Sequence, residues 1–299
     1  MLAGRRAVRA TMVIVIFGGI PALGFAAACG VDLGGTLPDV IPAVDAGVDV
    51  RPMPPPRGDS SMPPTDAAVD APPGCGEGLA GPLMVAVGDG GDAGFCIDST
   101  EVTNAQYDVF LAATDGGEVD AGGLPLECAA LATYERRNGV GTPVATPGGP
   151  DHPTTYVEWC AAYGYCKWAG KRLCAKAAIA GSTGDAGRGE WYRACSLEGT
   201  RRYPYGDSLV PAACNQGNPL GAIEAVRSRP SCEGGVPGLF DMAGNASEWV
   251  DSCDGVGNCS LVGGYFGTGD GGATCRASED QSILLRSDAL GFRCCASPP

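Results

Sequence analysis

The chain has 299 residues with a formal net charge of −14, 48 glycines, 24 prolines, 15 cysteines and one histidine. The acidic balance argues against nucleic acid as a partner and makes cations easy ones. One histidine excludes multi-His metal centres, and any Ser/His/Asp or Cys/His nucleophile would have to use His152, which sits in the Pro/Gly-rich run TPGGPDHPTTY.

Residues 1–29 read as an export signal, with Arg5, Arg6 and Arg9 before the apolar run TMVIVIFGGIPALGFAAA. The end, AAACG, resembles the lipobox of bacterial lipoproteins, in which Cys29 would be lipidated, although Ala26 stands where that motif usually has leucine. Ordinary cleavage near Ala28 or an uncleaved anchor are the alternatives. Each places the mature chain outside the cytoplasm: lipid-anchored in a bacterial cell envelope, or secreted. Residues 30–74 repeat Val, Asp, Ala and Pro without an aromatic residue, cannot bury enough to fold, and read as a tether. As a flexible coil such a segment reaches roughly 35 Å.

The folded part is expected over 75–299. FCID opens it as a strand-like run, and Thr103 with Gln106 has capping-box spacing ahead of a helix carrying Tyr107, Phe110 and Leu111 on one face. The Gly/Pro-rich residues 115–153 read as loop. A second helix is predicted with Thr155 and Glu158 as another capping box, Trp159, Ala162, Tyr163 and Cys166 as its buried stripe, and Gly170 at its C-terminus. A short helix, a Gly-rich excursion at 181–189 and a return at 190–195 follow. RRYPYGD is a turn, and late strands are expected within 261–278 and 290–296.

The stretch GLFDMAGNASEWV at 238–250 sets Asp241, Asn245 and Glu248 at short spacing on a Gly-bent segment, with Leu239, Phe240, Met242 and Trp249 to bury. Oxygen ligands on such a loop suit a hard cation such as Ca²⁺. The alternative is a packed loop whose polar groups only bond the backbone. The cysteines lack the paired spacing of zinc sites, and their number fits an oxidising compartment. With Cys29 set aside, fourteen remain, enough for seven bridges.

EVTNAQY at 101–107, the run from Trp159 to Leu173, RYPYGD at 202–207, GLFDMAGNASEW at 238–249, Gly263-Gly264 and GFRC at 291–294 stand in a fixed order. In these islands the chain resembles the formylglycine-generating enzyme family, also called sulfatase-modifying factors, over about residues 80–296. The resemblance implies an α+β, loop-rich, C-type-lectin-like fold stapled by disulfides. It implies the bridges Cys166–Cys294 and Cys195–Cys275, each worth roughly 3–5 kcal/mol in the chain-entropy model. The ten further cysteines would supply five more, Cys253 with Cys259 among them, but spacing alone does not fix the pairing.

The family enzyme holds copper through two thiolates in a C-x-x-x-x-C run after its R-G-G-S segment, and the copper activates O₂ to oxidise a substrate cysteine. Soft thiolates suit Cu(I). Here residues 263–274 contain no cysteine, so copper is not expected, and Cys275 matches a structural position. The L-P-T-E-A-E-W-E segment is also altered, to LCAKAA, with Glu190-Trp191 arriving only after an insertion. Three readings follow. One is a non-catalytic binding or structural module for an unidentified protein or small-molecule ligand. Another is the copper oxidase with a rearranged site that uses an unpaired thiol among Cys275, Cys294 and Cys295. The last is another chemistry grafted on the fold. Tyr265 and Phe266 are candidates to line a ligand groove, with Arg276 and Arg293 as polar partners. The alternatives are core packing for the aromatics and buried pairing with carboxylates for the arginines. The resemblance also implies a structural Ca²⁺ held by the side chains of Asp241 and Glu248 and the carbonyls of Gly244 and Ala246, with a second site beginning at Asn215.

Overall fold

A computed structural model describes residues 75–298 apart from 89–93, 116, 119–122, 146, 176–188 and 270. The signal-like segment, Cys29, the tether and nearly all of the 181–189 excursion lie outside the described residues.

Two four-stranded sheets share the chain. The first contains β1 (Met84–Val87), β2 (Phe95–Asp98), β3 (Arg172–Leu173) and β8 (Cys294–Ala296), in the antiparallel order β1-β2-β8-β3. The second contains β4 (Ser247–Cys253), β5 (Asn258–Val262), β6 (Ser278–Ser282) and β7 (Leu290–Phe292), in the order β6-β5-β4-β7. Its β4–β7 pair is parallel, with Ser247 opposite Leu290 and Trp249 opposite Phe292. Strands β7 and β8 are separated by Arg293 alone, so the chain leaves one sheet and enters the other at that residue. The fold is α+β, loop-rich and disulfide-stapled, as expected.

Helix α1 (Asn104–Ala113) starts at the predicted capping box: the Thr103 hydroxyl accepts from Gln106 N–H and the Gln106 side chain accepts from Thr103 N–H at 2.9 Å. Helix α2 (Trp159–Trp168) does not start as predicted. Its N-cap is Glu158, which makes no side-chain cap bond, and the Thr155 hydroxyl is buried without a hydrogen-bond partner. The Glu158 carboxylate pairs instead with Arg286. The box fails because Glu158 occupies the N-cap itself, three residues ahead of the position the motif requires. The helix ends as expected, with Gly170 at φ +74, an angle glycine adopts without strain. The segment predicted as a short helix after it begins as strand β3, and the return is α3 (Glu190–Ser196).

The core centres on α1, α2 and the inner faces of both sheets. Tyr107, Phe110, Tyr165 and Phe292 form edge-on and stacked pairs with ring centroids 5.3–6.2 Å apart. Two tryptophans lock α2 to β4: Trp159 Nε1 donates to Val250 O at 2.9 Å, and Trp249 Nε1 donates to Val157 O at 3.2 Å. Each buries a large apolar body while its one polar atom is satisfied. Seven disulfides add to this: 75–96, 128–160, 166–294, 174–295, 195–275, 214–232 and 253–259.

Candidate functional site

The residues of 238–250 converge on a buried polar knot. Asp241 and Asn245 hold left-handed backbone angles, φ +58 and +57, on either side of Gly244 at φ +78. Gly244 is required, because a Cβ there would stand 2.3 Å from the carbonyl oxygen of Asn215. The bend turns Glu248, at the start of β4, toward Arg293, and both side chains are buried. Arg293 Nε donates to Glu248 Oε2 at 2.8 Å and its Nη2 to Glu248 Oε1 at 2.8 Å. Trp191 Nε1 donates to Glu248 Oε2 at 2.8 Å. The remaining Arg293 donors reach the carbonyls of Asp98 and Phe240 at 3.2 and 3.0 Å.

Further carboxylates surround this pair. Glu101 Oε1 accepts from Asn245 Nδ2 at 3.0 Å, while Oε2 has no hydrogen-bond partner and lies 3.8 Å from Arg293 Nη2. Burial, reinforced by the negative charge of Asp241, pushes the Glu101 carboxyl well above its ordinary range. Asp241 accepts from Arg227 N–H at 2.7 Å, and burial pushes it up to about 6. Asp98 accepts from Lys171 Nζ at 2.6 Å and from Cys294 N–H at 2.8 Å, and burial pushes it, too, up to about 6. Burial works against the charge on Arg293, but Glu248, Glu101 and Asp241 outweigh it, and its pKa is raised.

These contacts bear on the residues implied for calcium. Glu248, one of the two implied side-chain ligands, has each oxygen within 3.0 Å of two protein N–H interactions, and the guanidinium supplies the positive charge an ion would. Asn215 donates through Nδ2 to Ala222 O at 2.9 Å and to Asn245 Oδ1 at 3.1 Å, contacts that leave its side-chain carbonyl oxygen unengaged. Among the described residues no group of three or more His, Cys, Asp or Glu side chains is arranged to hold a metal ion. Arg293, forty-five residues beyond Glu248, already neutralises that carboxylate, so a cation held by Asp241, Glu248 and the carbonyls of Gly244 and Ala246 would share Glu248 with the guanidinium.

The four groove candidates separate. Tyr265, 37% exposed, lines a cleft of about 270 Å³ with Ser247, Gly264, Thr268, Ser278 and Glu279. Phe266 is instead buried with Ile223, Ala246 and Ala289, because its backbone N–H is bonded to Asn245 O, which turns the ring inward. Arg293 is fully buried in the knot and cannot reach a ligand. Arg276 faces a different cavity of about 420 Å³ together with Arg201 and Arg202. Those two partners were missed in the sequence, where the Arg-Arg pair read only as the lead-in to a turn. A further cavity of about 660 Å³ opens beside α1 and α2 at Phe110, Tyr134 and Trp168 and has none of these groups in its lining.

The thiol expectation needs correction as well. Cys275 is bonded to Cys195, Cys294 to Cys166 and Cys295 to Cys174. The vicinal pair leaves no unpaired sulfur because β8 runs antiparallel to β3, with Arg172 opposite Cys295 and Leu173 opposite Cys294, which brings Cys174 alongside. All fourteen cysteines of the described residues are in disulfides.

Comparison with known proteins agrees with the islands in the sequence. A family described as the sulfatase-modifying factor enzyme 1-like domain matches residues 90–298, well over half of the chain. Serine/threonine-protein kinase Pkn1 of Chlamydia trachomatis serovar L2 is 33% identical over 158 residues, which is 52% of this chain and 22% of that protein. A formylglycine-generating enzyme of Streptomyces coelicolor is 29% identical over 195 residues, 52% of this chain and 56% of that enzyme. The chain thus spans about a fifth to about half of the curated relatives it matches. Among solved structures, PvdO from Pseudomonas aeruginosa is similar at a TM-score of 0.49 and 19% identity, covering 72% of this chain and 94% of that one. CarF is similar at a TM-score of 0.48 and 19% identity, covering 74% and 97%.

Proposed function

The chain belongs to the sulfatase-modifying factor enzyme 1-like family, and from that premise we propose that it is a non-catalytic binding or structural module that works outside the cytoplasm. The observation that carries this reading is the state of the sulfurs. Copper chemistry of the kind the family resemblance implies needs two thiolates, and a disulfide sulfur is not one. Residues 263–274, where the pair would stand, contain no cysteine. Cys275, Cys294 and Cys295 are each consumed in a bridge. What remains is a rigid scaffold with an exposed tyrosine, Tyr265, over a cleft, and that cleft is the candidate ligand site. A lipid on Cys29 and the segment 30–74 would hold the scaffold off a membrane surface.

The competing reading is a formylglycine-forming oxidase, the activity in the name of the Streptomyces relative. Thiol titration of the unreduced, denatured protein separates the two. The module reading expects no free thiol beyond Cys29 and no formylglycine formed on a C-x-P-x-R peptide supplied with copper. Two free thiols with tight Cu(I) binding would overturn it.

A further inference from the structure

The cavity edged by Arg201, Arg202 and Arg276 has no role in the copper chemistry or in the polar knot, and its composition is unusual for this protein. The chain carries 34 acidic against 20 basic residues. Seven arginines, at 136, 137, 172, 193, 229, 286 and 293, are each within ion-pair distance of a carboxylate. Arg201, Arg202 and Arg276 make no such pair among the described residues, yet all three line one cavity of about 420 Å³. Three like charges gathered around a single carboxylate repel one another, and an acidic surface offers many ways to avoid that arrangement.

Their positions are fixed without neutralisation. The Arg202 guanidinium lies over the Tyr203 ring at 5.4 Å, and that of Arg276 lies over the Tyr192 ring at 5.6 Å. Arg201 Nη1 donates to Pro204 O at 3.2 Å. Stacking on an aromatic face uses the plane of a guanidinium and leaves its in-plane N–H edge to bind. Thr274, a buried residue in the same lining, accepts from Arg276 N–H at 3.2 Å through its hydroxyl and so keeps its own proton to donate. The two backbone segments are clamped: Cys275 N–H donates to Arg202 O at 3.0 Å, and Cys275 is bonded to Cys195 in α3. The one carboxylate in the lining, Asp207, accepts from Arg202 N–H at 3.2 Å and leaves the cavity with three positive charges against one negative.

We propose that this cavity is a binding site for a tetrahedral oxyanion, the group carried by a phosphate or sulfate ester. Planar forks of donors held at fixed positions, with a hydroxyl among them, match such an anion in charge and in hydrogen-bond count. The site is independent of whether the chain is catalytic, and it shares no lining residue with the Tyr265 cleft.

The test is calorimetric titration and thermal melting of the whole secreted protein at low ionic strength with inorganic phosphate, inorganic sulfate, phenyl phosphate and phenyl sulfate. Chloride at matched ionic strength is the control. Saturable binding of at least one of these anions, with a rise in melting temperature that chloride does not give, is expected; comparison of the arms assigns phosphate or sulfate chemistry. Arg202→Ala with Arg276→Ala should weaken binding by at least about ten-fold, the loss expected for one charge-assisted bond. Both side chains are exposed, so the variant should retain the wild-type melting temperature in chloride. Arg276→Lys should fall between the two, and Arg137→Ala, away from the cavity, should bind as wild type. Absence of saturable binding up to about 10 mM, an affinity weaker than about 3 kcal/mol, overturns the proposal. Binding left unchanged by the double substitution overturns it equally, since the anion would then sit elsewhere.

Discussion

Replacing Arg293 with methionine keeps most of the side-chain volume and removes its charge and five donors. In the folded state this strips Glu248 of its guanidinium and leaves the carbonyls of Asp98 and Phe240 without that donor. Trp191 Nε1 still bonds Glu248, and protonation of the carboxyl limits the damage. Removing one partner of a buried ion pair costs about 3–5 kcal/mol. For a domain of this size each kcal/mol is worth about 2–4 °C, so the melting temperature should fall by about 6–20 °C. Scanning calorimetry at pH 7 with the disulfides intact measures it. The double substitution Arg293→Met with Glu248→Gln removes the orphaned charge and should recover at least half of the loss, because Gln can still accept from Trp191. A chelator should leave the wild-type melting curve where it is. A loss below about 1 kcal/mol for the single substitution would refute the argument, since that lies within the ordinary cost of any point mutation. So would restoration of the variant by millimolar Ca²⁺, which would mean that the carboxylates are metal ligands after all.

The pH dependence should run against the common pattern for acidic proteins. Asp98 and Asp241 are pushed up to about 6 from an ordinary 3.8, so the folded state binds protons before the unfolded state does. Their contribution to stability is fully present below about 4 and lost as pH rises through about 6. Unfolding free energy should therefore rise on acidification from pH 7 to 5, and Asp241→Asn should flatten that rise; a fall in stability over the same range sinks the explanation. The bridges 166–294 and 174–295 should be strongly non-additive. Each spans more than 120 residues, but with one in place the other closes only about ten further residues. Removing either singly should cost about 2–3 kcal/mol and removing both clearly more than the sum, as read by urea unfolding of Cys-to-Ser pairs. Additive losses would show that loop closure is not the source of the stabilisation.

Features that depend on neighbours along the chain were legible before any fold was known. The Thr103–Gln106 cap, the Gly170 terminus of α2 and the strand at 95–98 are satisfied within a few residues, whereas glycine at 244 is required by the distant carbonyl of Asn215. The order of the sequence islands was enough to indicate the family and its α+β, disulfide-stapled fold. Tertiary structure decided where the polar side chains spend their bonds. Asp241 and Glu248 form the same cluster of oxygens in either reading. Whether that cluster faces an ion or a guanidinium depends on Arg293, which reaches it only because the chain passes from β7 to β8 at that residue. Glu158 had the spacing of a cap but found Arg286. Cys295 had no assigned partner until the β3–β8 register set Cys174 beside it. Arg202 and Arg276 are seventy-four positions apart and meet through one backbone hydrogen bond and a disulfide. Charge pairing and disulfide pairing are set by distance in space, and local spacing carries no record of it.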